Sequence, residues 1–489
     1  MSQHLEGQNQ PLYKAREPIF PRKVKGFYRR LKWWIMAFTL GVYYLTPWIR
    51  FDRGPHLPDQ AVLVDLQNRR FFMFWIEIWP HELYFVAGLL IMAGIGLFLF
   101  TSALGRVWCG YACPQTVWTD LFILVERWID GDRNARIRLW NRPWDALKIR
   151  KRAVKWSLWL LIGLATGGAW VFYFTDAPQL AKALFSGTAP PIAWITISIL
   201  TFTTFILGGF MREQVCIYMC PWPRIQSAMM DEDTLTVGYR FWRGEPRSKH
   251  QKTLARDAKS DESVAKIEAS FGDCIDCMAC VNVCPVGIDI RDGQQLECIT
   301  CALCIDACDD VMAKIGKPRG LIDYLALCDE AAEKQGAKPR SALHHILRPR
   351  TILYSVLWAS IGFIMLYALF IRAEFEMLIA PVRSPTYVTL SDGSVRNIYE
   401  VRLRNKTAET VPVTLGAVAD NQPINLSYSL GEESLSILPD STLRKRIYLT
   451  VPAQSQLAQS PSTPIRFWMK TDDGTQIFAK QTYFNGAVP

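Results

Sequence analysis

Eight of the thirteen cysteines fall in two runs of one spacing, Cys274-x2-Cys277-x2-Cys280-x3-Cys284 and Cys298-x2-Cys301-x2-Cys304-x3-Cys308. Spacings of two let three thiolates converge on three irons of one cubane, and the fourth ligand comes from the other run. The pattern predicts two [4Fe–4S] clusters. Cys274, Cys277, Cys280 and Cys308 would hold one, and Cys298, Cys301, Cys304 and Cys284 the other. Structural zinc sites also use C-x2-C pairs, but two complete four-member runs fit the cubane pattern better. Pro285 closes the first run in the usual way, whereas Asp309 takes the place of proline in the second.

Four further cysteines form a second repeat. Cys109-Gly-Tyr111-Ala-Cys113-Pro114 aligns without gaps on Cys216-Ile-Tyr218-Met-Cys220-Pro221, at a constant offset of 107 residues. The match predicts a duplicated, same-direction helical repeat that brings four thiols to one level. Residues i and i+4 share a helix face, and proline suits the first turn of a new helix. Cys113 and Cys220 are therefore expected at helix starts, where the dipole favours thiolate. Soft thiolates select Cu(I) and iron–sulfur centres over hard ions, so Cys109, Cys113, Cys216 and Cys220 are candidate copper or redox residues. A metal-free dithiol and purely structural thiols are the other readings. Cys328 stands alone and reads as an ordinary buried thiol. Histidines are scarce, and His56, His81, His344 and His345 all lie outside the apolar segments, which disfavours a membrane haem with paired axial ligands. His81 and Glu82 are candidates to touch a quinol, although an interfacial anchor beside Trp75 and Trp79 is the plainer reading. Gly163-Leu-Ala-Thr-Gly-Gly168 lacks the strand–turn–helix setting of a nucleotide site. Electrons should then come from another protein or a quinol.

The elements that must position these thiols are partly membranous. A chain of 489 residues suggests about three domains, and half its residues are hydrophobic with 20% charged. That composition excludes a disordered or collagen-like chain. Five uncharged stretches approach the roughly 20 residues that cross a bilayer: 33–49, 83–105, 156–175, about 190–211, and 351–371. Eight Lys/Arg precede the first and eleven lie between the second and third, against four and one in the alternate loops. The positive-inside rule then places segment 1–32 in the cytoplasm and the C-terminus outside. All thirteen cysteines, Cys109 to Cys328, fall on that cytoplasmic side, where thiols stay reduced. The net charge of +10 is thus a topology and lipid-contact signal, with no nucleic-acid partner. No cleavable signal peptide is visible.

The cytoplasmic region 212–350 is expected to contain a linker, Arg240–Ala269, and a ferredoxin-like domain at about 265–320, with helical spacing over Leu321–Gln335. The tail 372–489 alternates with period two in Tyr387–Leu390, Ile398–Leu403, Val411–Leu415, Ile447–Val451, Ile465–Met469 and Gln476–Ala479. Turn signals at Ser391-Asp-Gly393 and Asp472-Asp-Gly474 separate strands of an antiparallel β-sandwich. The tail has no His or Cys, which suits a partner-docking module better than catalysis. The fold class expected is a multi-domain membrane protein: a five-span α-helical bundle, a cytoplasmic two-cluster ferredoxin-like domain and a C-terminal immunoglobulin-like β-sandwich.

With Arg16-Glu-Pro18, Pro21-Arg22 and Cys109-Gly-Tyr-Ala-Cys-Pro-Gln-Thr-Val-Trp118 added to these motifs, nearly the whole chain resembles the CcoG/FixG/RdxA family. The resemblance implies a bacterial inner-membrane protein with a periplasmic immunoglobulin-like domain. It also implies a role in maturing cbb3-type cytochrome c oxidase by reducing Cu(II) to Cu(I), in company with oxidase assembly factors or copper-handling proteins. On that basis the eight ferredoxin cysteines bind clusters, and the four CxxxCP thiols are the copper candidates. Two alternatives are a quinol-dehydrogenase-like carrier to a periplasmic reductase, and a non-enzymatic assembly scaffold.

Overall fold

The computed structural model of the chain describes residues 18–54, 57–249, 270–373, 375–407, 409–419, 422–424, 426–428, 435–439, 441–471 and 477–487. Arg16, Glu17, His56, most of the expected linker and the Asp472-Asp-Gly474 turn lie outside them. The chain forms two compact units, Met1–Arg50 with Gln60–Met365, and Phe51–Asp59 with Leu366–Pro489.

Among the described residues, four helices are long and apolar enough to cross a membrane: Tyr84–Leu104, Ala146–Val171, Pro191–Met219 and Pro349–Phe370. In the last, none of the most apolar window is buried, and Ile352, Val356, Phe363 and Tyr367 point outward. An apolar surface this continuous calls for lipid. The expected segment 33–49 is different. It is the helix Phe27–Leu45, closed by a 3-10 turn Thr46–Trp48 around Pro47. Arg29, Arg30 and Lys32, expected as flanking charge, lie inside it. Two of these cations are buried because Asp120 accepts them, at 3.2 Å from Arg29 and 3.1 Å from Lys32.

The helix N-terminus has a partner from far along the chain. Asp306 accepts the backbone N–H groups of Tyr28 and Arg29 at 3.2 and 2.7 Å. A carboxylate at orphan N–H groups of a helix start is favourable in charge and in hydrogen bonding. A small antiparallel sheet, Val62–Asp65, Arg70–Met73 and Ile76–Ile78, fills the loop before Tyr84–Leu104. It was not legible because its strands are only three or four residues long.

The two cysteine runs fold as a pair of short helices, Ala279–Val283 and Leu303–Ile315, beside a two-stranded sheet. The strands are Thr236–Tyr239 and Ile322–Leu325, antiparallel with Tyr239 opposite Ile322. The expectation of helix over Leu321–Gln335 therefore needs correction. Its first part pairs as a strand, and helix begins only with the 3-10 turn Leu327–Asp329 that runs into Glu330–Lys334. A buried strand partner more than 80 residues upstream outweighed the local spacing.

The tail carries two antiparallel sheets. One orders Gln422–Ile424, Val411–Ala419, Thr463–Thr471 and Ile477–Phe484, and the other Leu426–Tyr428, Ser441–Val451, Val395–Asn405 and Phe375–Pro381. Val395–Asn405 alternates buried and partly buried along its length, as a strand with one core face must. Tyr399, Ile447, Phe467 and Phe484 meet in the core.

Candidate metal centres

Each cysteine run wraps its site with the same backbone. Asp276 and Met278 have φ of 49° and 58°, and Thr300 and Ala302, 24 residues on in each case, have 53° and 58°. Left-handed residues between right-handed ones turn successive N–H groups inward, forming an anion-binding nest of the kind common at iron–sulfur sites. The Thr300 N–H lies 3.4 Å from Cys298 Sγ. Cys274, Cys277, Cys280 and Cys308 line one cavity. Cys284, Cys298, Cys301 and Cys304 line a second, which Cys280 also borders. These are the two groupings expected from the interlaced ligand rule.

The donor sets suit a cluster. Burial pushes the thiols of Cys280, Cys284 and Cys308 up to about 12 and Cys298 up to about 11. Such sulfurs become thiolates only when a metal supplies the compensating charge. Asp309 now has a reason. Cys284 ends its helix and Pro285 turns the chain away, whereas Cys308 sits mid-helix and the chain continues to Ile315. Proline there would break the helix, and Asp309 instead accepts the Gly320 N–H at 2.9 Å.

The CxxxCP repeat is visible in the backbone as well. Cys113 N–H bonds the Trp108 carbonyl at 2.9 Å, and Cys220 N–H bonds the Val215 carbonyl at 2.8 Å, in each case five residues back. Upstream, the chain passes through positive φ at Gly105 (62°) and at the equivalent Arg212 (21°). Cys113 caps the helix Pro114–Ile129. Cys220 lies one residue before Pro221, the cap of Trp222–Met229. Cys216 lies in a π-helical stretch, Val215–Met219, a form often found at functional sites.

The four thiols are electrostatic neighbours, Cys216 sensing Cys113, Cys109 and Cys220. Burial pushes Cys109 up to about 11, with Arg106 pulling the other way, and its Sγ donates to Gln226 Oε1 at 3.0 Å. Among the described residues, the one trio of ligand atoms gathered within 4.8 Å is elsewhere, at Asp233, Cys328 and His345. The four thiols are therefore set more widely than the shell of a single tetrahedral ion.

The first motif packs directly on a cysteine run. A Cβ on Gly110 would come within 2.6 Å of the Ile299 carbonyl and 3.0 Å of Cys301 Cα, so only glycine permits this approach. Tyr111 Oη donates to the Cys301 carbonyl at 3.2 Å, while the equivalent Tyr218 is 61% exposed. Cys109 and Ile217 pack against the same buried group as Cys301 and Leu303. Of the two quinol candidates, Glu82 is buried and accepts the Trp79 N–H at 3.1 Å, a capping role, and the His81 side chain lies outside the described residues.

Comparison with known proteins agrees with this arrangement. A family model described as a 4Fe-4S dicluster domain matches residues 211–326, and one described as a 4Fe-4S binding domain matches 85–132. A third, the IG-like fold at the C-terminus of FixG, matches 365–487. RdxB of Cereibacter sphaeroides is 60% identical over 480 residues, covering 98% of both chains. The chain belongs to the FixG/RdxA family. RdxA of the same organism is 56% identical, covering 98% of this chain and 99% of its own. The nitrogen fixation protein FixG of Rhizobium meliloti is 52% identical, covering 90% and 88%. This FixG/RdxA member is an iron–sulfur, oxidoreductase-like protein suited to electron transfer.

Proposed function

We propose that the chain is a membrane electron carrier that reduces Cu(II) to Cu(I) at the CxxxCP thiols, in support of cbb3-type oxidase assembly. Two bound [4Fe–4S] clusters would supply one-electron storage and transfer. The observation that carries the reading is the contact of Gly110 and Tyr111 with Cys301, which sets the thiol motif beside a cysteine-lined cavity. Thiolate sulfur favours the Cu(I) product over Cu(II), so the same residues that bind the ion also draw the electron to it.

The test uses the protein with its iron, reduced by dithionite and freed of excess reductant. Added Cu(II) should reoxidise it. Serine at Cys109, Cys113, Cys216 and Cys220 together should abolish copper binding and slow Cu(II) reduction at least tenfold, with iron content unchanged. Structural thiols predict a fall in protein level with normal activity per molecule. A well-folded, iron-loaded quadruple variant that reduces Cu(II) as fast as the parent would remove these cysteines from the copper step.

A second reading, transfer of electrons from a quinol, has its own observation. An apolar cavity of about 720 Å³ is lined by Leu31, Ile35, Phe100, Leu104, Trp108 and Tyr111, next to the same run. A short-chain quinol that reduces the iron as dithionite does would support it.

The same proposal requires a sided membrane arrangement, with the cysteines in the cytoplasm and the β-domain in the periplasm. A reporter active only outside the cytoplasm should work when fused after Pro489 and stay silent near Gly336. Equal activity of both fusions would rule out an odd number of crossings between the two points.

A further inference from the structure

Cys328 is not an isolated thiol. Its Sγ lies 3.0 Å from Asp233 Oδ1 and 4.0 Å from His345 Nδ1, and His345 Nδ1 lies 3.5 Å from Asp233 Oδ1. Tetrahedral zinc, with bonds of about 2.3 Å to sulfur and about 2.0 Å to nitrogen or oxygen, sets its ligands about 3.3–3.6 Å apart. The three observed edges bracket that range. We propose that Asp233, Cys328 and His345 form a mononuclear site for a zinc-class divalent cation, separate from the iron–sulfur and CxxxCP sites.

The surroundings are those of a ligand set held in place. His345 is 2% exposed, and its Nε2 faces Asp329 Oδ2 at 3.0 Å. A carboxylate on one ring nitrogen keeps the proton there and presents the lone pair of the other. That other nitrogen, Nδ1, is the one turned to Cys328 and Asp233. Asp329 is itself fixed by Arg340, whose Nε and backbone N–H reach Oδ1 and Oδ2 at 2.6 and 3.0 Å. On the far side of Asp233, Oδ2 faces Arg348 Nη1 at 3.7 Å, leaving Oδ1 for the site. The Cys328 N–H bonds the Glu232 carbonyl at 3.0 Å, which ties the two ligand-bearing segments together.

Thiolate, carboxylate and neutral imidazole together carry two negative charges, the complement of a divalent ion. Sulfur with imidazole suits zinc and excludes magnesium or calcium, which take all-oxygen shells. Three protein ligands leave a fourth position for water, and the partly exposed Cys328 gives that position access to solvent. The three ligands come from separate segments: the turn before strand Thr236–Tyr239, the turn Leu327–Asp329, and the helix Ala342–Ile346 that leads into Pro349–Phe370. An ion here would fasten the ferredoxin-like unit to the foot of that apolar helix.

The experiment equilibrates the full-length, iron-loaded protein in detergent with zinc, removes the loose metal and counts zinc per chain. The background carries serine at Cys109, Cys113, Cys216 and Cys220, so those thiols do not compete. One zinc is expected, with an absorption-edge shell of one sulfur and two or three nitrogen or oxygen atoms. Cys328→Ser or His345→Gln should remove it while iron stays constant. Asp329→Asn, which spares all three ligands, should keep the zinc with affinity weakened about 10–100-fold. It also serves as the readout should either ligand variant fold poorly. Equal zinc uptake by the parent and both ligand variants, or a shell of sulfur alone, would overturn the site. So would absence of zinc from the well-folded parent, which would leave a hydrogen-bonded polar cluster.

Discussion

Replacing Cys274 with serine should leave the anaerobically purified protein with about four iron atoms per chain in place of about eight. Cys298→Ser should give the same count but lose the other cluster. The two variants are informative because Cys274 lines one cavity and Cys298 the other. Cys280 is less suitable, since it belongs to the first cavity and borders the second. Each single variant should keep one paramagnetic signal on reduction, and the two signals should differ. The double variant should hold almost no iron. Identical residual signals in the two single variants, or zinc in place of the iron, would refute the interlaced assignment. Because Cys308 and Cys284 each cross to the other run's cavity, replacing either should mimic loss of the cluster it serves, not of the run it belongs to.

The second large effect is expected on stability. Glu126→Gln should destabilise the protein by about 3–5 kcal/mol, the usual cost of leaving buried charges unpaired. The Glu126 carboxylate is nearly fully enclosed and meets three cations, Arg212 at 2.8 Å, Lys155 at 3.1 Å and Arg136 at 3.2 Å. Asp130 shares Lys155 at 2.6 Å but reaches neither arginine in this way. Burial alone would raise the Glu126 pKa, yet Arg212, Lys155 and Arg136 together hold it down to about 2. The sign of the pH dependence follows. A carboxylate with a lowered folded-state pKa stabilises the fold above its unfolded value near 4.3 and loses that contribution as pH falls toward 2. The gap between parent and variant should therefore be full at pH 7 and shrink between about pH 4 and 2. A thermal midpoint in detergent should drop by roughly 3–7 °C at neutral pH. An unchanged midpoint would mean that the three cations find other partners. Arg212 also carries the strained φ of 21° upstream of Cys216, so the variant should disturb the second CxxxCP motif before the first.

What the sequence revealed was whatever depends on near neighbours along the chain. Cysteine spacing is a local property, and it already sorts the eight cysteines into the two sets that line the two cavities. Alternation located Ile398–Leu403 and Ile465–Met469 because one face of each strand is buried. Tyr84–Leu104 matched its expected limits to a residue or so, since nothing charged intrudes. Segment 33–49 did not, because the charges that seemed to end it are paired with Asp120 in three dimensions. Asp306 as a cap for Phe27–Leu45, Glu126 among its cations, and His345 beside Cys328 all depend on long-range convergence. No spacing signals such contacts. The short strands Gln422–Ile424 and Leu435–Ile437 were missed for a simpler reason, being too brief to show a period.

For the proposed electron transfer, Gly110 has a consequence for speed. Electron tunnelling weakens exponentially with the gap between carriers, and the gap between the thiol motif and the Cys301 run is set where backbone meets backbone without a side chain between. Every larger residue would act as a spacer. In the second motif Ile217 stands in the matching place and packs its side chain on the group that holds Cys301, so on the proposed route the first motif should pass electrons faster than the second.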